Sequence, residues 1–170
     1  MKCKKHYAPR GPRLFIDFST TRDGIPLSYE RKLLIRRAIA ETLFYERILF
    51  ATEVSVTLCD DAYIKDLNRQ YREKDTATDV LSFPLYEGGE LPKDGDADGE
   101  TVPLGDIVIS VERAAQQAAE LSHSTDREIA FLCIHSTLHL LGYDHELGDE
   151  EDADMCRRQR EIIAKLGLEE

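Results

Sequence analysis

Residues 129–145 read IAFLCIHSTLHLLGYDH, and the first thirteen of them contain no Asp, Glu, Lys or Arg. A helix that is apolar on nearly every side belongs in the middle of a domain. His135 and His139 stand four residues apart, so their imidazoles project from one face of that helix, one turn above the other. Gly142 is placed to end the helix in a left-handed cap. The chain can then fold back and bring His145 toward the first two histidines. Two imidazoles at this spacing and a third beyond a glycine turn match the way a three-histidine zinc site is built. Neutral ligands leave the ion its double charge, so a water in the open fourth position is acidified toward neutral pH. A single buried histidine is more often a hydrogen-bonded core residue. Three of the chain's five histidines within eleven residues point to a metal site, and the evidence of only three ligands points to a catalytic one. Imidazole suits several divalent transition metals, so zinc is expected with nickel and cobalt as competitors. His6 and His123 fall outside the pattern and receive no role.

Outward from this helix the chain alternates strands and helices. Leu14 to Phe18 reads as a strand, and Ser28 can cap a helix to about Phe50. Glu53 to Leu58 alternates Val54, Val56 and Leu58 inward as a half-buried strand. Asp60-Asp61 opens a short helix through Tyr71, and Val80 to Phe83 is a third strand stopped by Pro84. Leu104 to Ser110 is a fourth strand, running into a helix from Val111 to about Leu121. Thr125 with Glu128 reads as a capping box for the buried helix. A last helix spans about Asp149 to Leu166, acidic at its start and basic near its end, the sense its dipole prefers. The pattern is α+β: four strands and about five helices on one core, with the histidine helix at the centre.

The chain's 170 residues suit one domain over 1–170. No apolar run reaches the ~18–20 residues that cross a bilayer, and the basic start lacks a signal-peptide apolar region. A soluble, cytoplasmic protein is expected, with residues 1–13 as a flexible arm. The four cysteines form no C-x-x-C pair and read as reduced thiols, Cys59 and Cys133 as small core residues. The stretch 87–102 holds four Gly, six acidic residues and one Lys, an acidic loop whose role the sequence leaves open. The net charge of −11 argues against a whole-molecule field that coats nucleic acid, although residues 1–50 alone carry +6. Because salt screens charges beyond ~8–10 Å, a local basic cleft can still hold a phosphate backbone.

H-x3-H-x5-H is also the spacing of metzincin peptidases, where a Glu after the first histidine is the general base. Here that position is Ser136, which cannot serve near neutral pH. A metallopeptidase is therefore a lesser alternative. HSTLHLLGYDH instead resembles the signature of the bacterial rRNA-maturation endoribonucleases, the YbeY family, and beside that resemblance a ribosome-assembly factor in which zinc only holds the fold is the second alternative. Three further stretches agree in order: LNRQYREKDTATDVLSFP from Leu67, LGDIVIS from Leu104, and the acidic helix start after His145. The resemblance implies an α+β fold with a small mixed sheet under helices. It implies His135, His139 and His145 as ligands of one zinc ion, and Arg72 as a functional arginine at the metal cleft. It also implies single-stranded RNA as substrate, with action at the 3′ end of small-subunit (16S) rRNA and in ribosome quality control. Ribosomal small-subunit components would then be partners. Ala77 departs from the family's usual Pro, which relaxes a turn without removing chemistry.

Arg72 is suited to bind a phosphate bidentately and offset developing negative charge. Asp144 can orient a ligand imidazole or act as base, or can be no more than a turn residue. Asp79 and Ser82 are candidates for lining the cleft, and no general base is identified. Lys65, Arg69, Arg72 and Lys74, with Tyr71 among them, can supply phosphate contacts and a stacking ring.

Overall fold

A computed structural model of the chain describes residues 13–22, 24–92 and 100–169, with the His145 side chain outside that description. The expected flexible arm therefore lies, but for Arg13, outside the described residues, as does the centre of the acidic loop. Four strands make one sheet in the order β1-β2-β4-β3. They are β1 (Leu14–Thr20), β2 (Thr52–Cys59), β3 (Val80–Pro84) and β4 (Val102–Ser110). The first two and β4 are parallel, and β3 runs antiparallel along β4, so the sheet is mixed. Five helices accompany it: α1 (Tyr29–Tyr45), α2 (Asp61–Arg72), α3 (Val111–Glu120), α4 (Thr125–Leu140) and α5 (Asp149–Lys165). Among the described residues the four strands and five helices make the α+β fold expected.

The sheet is covered on both faces. Val54, Val56, Leu58, Ile107 and Ile109 join Ile35, Ile39, Ile134 and Leu138 of α1 and α4 in the main core. On the other face Cys59, Leu81 and Val108 pack with Ile64 of α2, and Ala77 sits against this smaller cluster. Burial on both faces is why β4 reads as a near-continuous apolar run and not as an alternation. The glycine of LGDIVIS has a steric cause. Gly105 has φ +140, and a Cβ there would lie 2.2 Å from the Phe83 carbonyl oxygen. A bulge falls at the same point, where the β2–β4 register shifts between Glu53 and Val54.

Helix α4 touches α1, α3, α5, β3 and β4, and all but three of its residues from Glu128 to Leu140 are buried. Burial pushes the Cys133 thiol in its middle, and Cys59 in β2, up to about 12, and both cysteines are unpaired. Arg31 of α1 clamps the first turn through Asp126 at 2.7 Å. Among the described residues no helix is long and apolar enough to cross a membrane.

Two boundaries differ from expectation. Helix α1 stops at Tyr45 and not near Phe50, because Arg47 turns left-handed at φ 59 and the Ile48 amide bonds back to the Leu43 carbonyl at 2.9 Å. This is a glycine-type helix stop built without glycine, and it frees 48–50 to lead into β2. The capping box is also displaced. Ser124, not Thr125, caps α4 by accepting from the Arg127 amide at 3.1 Å. That leaves Glu128 one position too far along to reach back, so it turns inward.

Candidate active site on helix α4

The three partly exposed positions from Glu128 to Leu140 are Phe131, His135 and His139, spaced by four. They form a stripe along a helix otherwise sunk in the core. The stripe ends on a cleft of about 1040 Å³ that both histidines line. The two Nε2 atoms stand 3.1 Å apart, with the rings nearly perpendicular at 77°. Two imidazole nitrogens bound to one zinc ion at tetrahedral angles stand about 3.3–3.4 Å apart. The observed separation is close to that, so the pair fits a shared metal ion. Among the described residues no group of three metal-binding side chains assembles. His145 lies in a short turn, His145–Leu147, but its side chain is outside the described residues. Ser136, the residue that replaces the peptidase base, is fully buried and takes no part in the cleft.

Arg72 is the last residue of α2 and lines the cleft with Lys74. Among the described residues the Arg72 guanidinium makes no hydrogen bond or ion pair, so all five of its donors remain available. Its placement is controlled from below. Buried Asn68 donates to the Thr76 carbonyl at 2.8 Å, and its own carbonyl accepts the Lys74 amide at 3.3 Å. Between them Glu73 takes a left-handed φ of 57 that ends the helix. At the other end of α2, Asp61 accepts from Ser110 Oγ at 2.6 Å and from Arg113 Nε at 3.1 Å. The family-like LGDIVIS strand thus anchors the helix that delivers Arg72.

The broader basic face is not all in the cleft. Lys65 and Arg69 both lean on Asp75, at 3.7 and 3.8 Å, and Arg69 also meets Asp66 at 2.8 Å. Their partners are carboxylates of the same local segment, and neither residue lines the cleft. Tyr71 packs edge-on to Phe83, 5.2 Å between centroids, and is absent from the lining as well.

Asp144, Asp79 and Ser82 all border the cleft. One Asp144 oxygen caps the following turn by accepting the Glu146 amide at 2.9 Å. Asp79 is tied up more fully: it accepts from the Val80 amide at 2.8 Å, from Gln117 Nε2 at 2.9 Å and from Thr78 Oγ1. It holds the entry to β3 and is poorly placed to move protons.

Three features escaped sequence reading. Tyr143 lines the cleft and donates to Glu46 across 97 positions of chain; burial, then this carboxylate, pushes its phenol up to about 12. Gly142 has φ +98, and a Cβ there would lie 2.4 Å from Gly89 Cα, so the start of the acidic loop crosses directly over the end of α4. His123, given no role, puts its Nε2 3.0 Å from the Glu128 carboxylate, with both side chains only 5% exposed. Burial raises Glu128 above the usual carboxylate range despite this neighbour. The partner of Glu128 precedes the helix cap, where no helical periodicity exists to reveal it.

The scaffold is thus an α+β domain with a histidine-centred cleft bordered by an unpaired arginine. The family model described as Endoribonuclease YbeY matches residues 17–167. Curated relatives named Endoribonuclease YbeY agree. That of Bacillus cereus strain G9842 is 43% identical over 159 residues, covering 91% of this chain and 97% of the relative. That of Caldicellulosiruptor bescii is 44% identical, covering 86% and 93%. The solution structure of TM1509 from Thermotoga maritima superposes with a TM-score of 0.58 at 27% identity, covering 88% of this chain and 87% of that one. The chain belongs to the YbeY endoribonuclease family.

Proposed function

We propose that the chain is a zinc-dependent, single-strand-specific endoribonuclease whose reaction centre is the His135–His139 stripe of α4. Family membership makes it a hydrolase of RNA acting in rRNA maturation. The observation that carries the site assignment is the convergence of two imidazoles on a cleft that also receives the unpaired Arg72. His135 and His139, with His145 as third ligand, would hold one divalent ion. When bound, such an ion supplies Lewis-acid activation of the attacking oxygen and neutralisation of phosphate charge. Other divalent transition metals would compete for the same nitrogens.

The chain's own groups do the rest. Arg72 grips the scissile phosphate through paired N–H donors and meets charge as it develops on the phosphoryl oxygens. Lys74 adds a second cation at the same rim. Asp144 lines the cleft and fixes the turn that follows Tyr143, and it is the candidate to orient an imidazole or accept a proton. We assign the unprocessed 3′ end of small-subunit rRNA as substrate, in the cytoplasm, with a role in ribosome quality control. Among the described residues two lysine or arginine side chains line the cleft, and on a protein of net charge −11 they give little sequence-independent grip on RNA. Small-subunit proteins are therefore expected to present the substrate.

The test is Arg72→Ala with bound metal and RNA cleavage measured on the same preparation. Metal content is expected to stay at the wild-type level while cleavage falls ~10²–10³-fold, the scale of losing one oxyanion donor. Wild-type cleavage by this variant would remove Arg72 from the mechanism.

A further inference from the structure

The segment between His139 and His145 is held by groups far away in sequence. The Gly142 and Tyr143 amides bond back to the His139 and Leu138 carbonyls, each at 3.0 Å, so the chain leaves the helix in a fixed direction. Tyr143 is then gripped on two sides. Its hydroxyl donates to Glu46 Oε2 at 2.7 Å, and the Arg158 guanidinium lies 4.6 Å over its ring. Arg158 donates to Glu46 Oε1 at 2.7 Å and to Asp154 at 2.7 Å, closing the cluster. The Glu46 side chain is 9% exposed and Arg158 22%, so these contacts are largely sheltered from water. Glu46 follows the last residue of α1, and Arg158 and Asp154 belong to α5. The end of α1 and helix α5 therefore meet on one phenol two residues before His145.

We propose that Tyr143 and Glu46 are positioning residues for the metal site: their hydrogen bond fixes the segment that carries His145 relative to His135 and His139. This rests on the three-histidine reading above. A ligand on a short turn leaves the ion's sphere whenever that turn swings, and Tyr143, just before the turn, bonds its side chain to Glu46 in a distant part of the chain. Outer groups that orient metal ligands are worth 10- to 100-fold in metal affinity.

The experiment is zinc affinity by chelator competition, with thermal melts of the metal-free proteins alongside. The set is wild type, Tyr143→Phe, Glu46→Gln, Glu46→Ala, the Tyr143→Phe/Glu46→Ala double variant and His139→Ala. Tyr143→Phe keeps the ring beneath Arg158 and removes only the hydroxyl. It is expected to weaken zinc binding about 10- to 100-fold while the metal-free melting temperature stays near wild type. Glu46→Ala should weaken binding similarly, Glu46→Gln should recover most of the loss because it keeps an acceptor, and the double variant should be no worse than the singles. Wild-type affinity in Tyr143→Phe, with His139→Ala unable to bind, would overturn the positioning role and leave the metal site standing. Zinc binding by His139→Ala at wild-type strength would overturn the three-histidine reading itself.

Discussion

Helix α4 has a histidine arrangement at each end, and the two differ in everything but residue type. At its start His123 faces Glu128, a single carboxylate, and both are sealed from solvent. In its last two turns His135 faces His139, a second imidazole, and both open on a cleft. His123 lies against a buried carboxylate and reaches no part of the cleft. Two imidazole nitrogens 3.1 Å apart on the wall of a cleft stand close to the spacing that one shared metal ion needs. Whether a buried histidine is structure or chemistry is thus decided by what faces it.

The sharpest way to break this comparison is to delete one histidine from each end. His139→Ala should abolish RNA cleavage, a loss of at least ~10³-fold, while the helix and a cooperative melt survive. A melt that disappears together with metal binding would make the ion structural. His123→Ala should do the reverse: cleavage per folded molecule stays near wild type, and stability falls by ~3 kcal/mol because Glu128 is left buried without its partner. Urea denaturation at pH 7 checks it.

Gly142→Ala tests the contact beside the cleft. The added methyl must enter a left-handed backbone position and displace Gly89, and a loss of ~1–3 kcal/mol is expected in the same assay. The smallest effect is in the pH profile. Burial raises the folded-state pKa of Glu128 above its unfolded value, which is near 4.5. Its contribution to stability is therefore full below that value and is lost as pH rises through the folded pKa. Glu128→Gln cannot titrate, so the melting temperature of this variant minus that of wild type should grow as pH is raised from about 4.5 toward neutrality. A constant difference would mean that Glu128 is not raised.

The strands and the central helix were legible because their patterns come from local geometry: alternation in β2, an unbroken apolar run in α4, four-residue histidine spacing. Arg72 was legible only through its resemblance motif, since one arginine among Lys65, Arg69 and Lys74 carries no periodic mark. Its distinction from Lys65 and Arg69 is set by Asp75, folded back beside them by the Asn68–Thr76 bond. The early stop of α1 hid because Arg47 does a glycine's work. The Glu46–Tyr143–Arg158 cluster joins residues 97 and 112 positions apart, a separation that neither helical nor strand periodicity spans.

The most direct measurement of the central claim is cleavage of a labelled RNA bearing an unprocessed small-subunit rRNA 3′ end. Wild type, His123→Ala and His139→Ala would be purified identically and assayed at equal folded concentration, with and without chelator. The account predicts cleavage by wild type and His123→Ala, both silenced by chelator, and none by His139→Ala. Cleavage by His139→Ala at the wild-type rate would contradict it, because the reaction would then not run at the histidine stripe of α4.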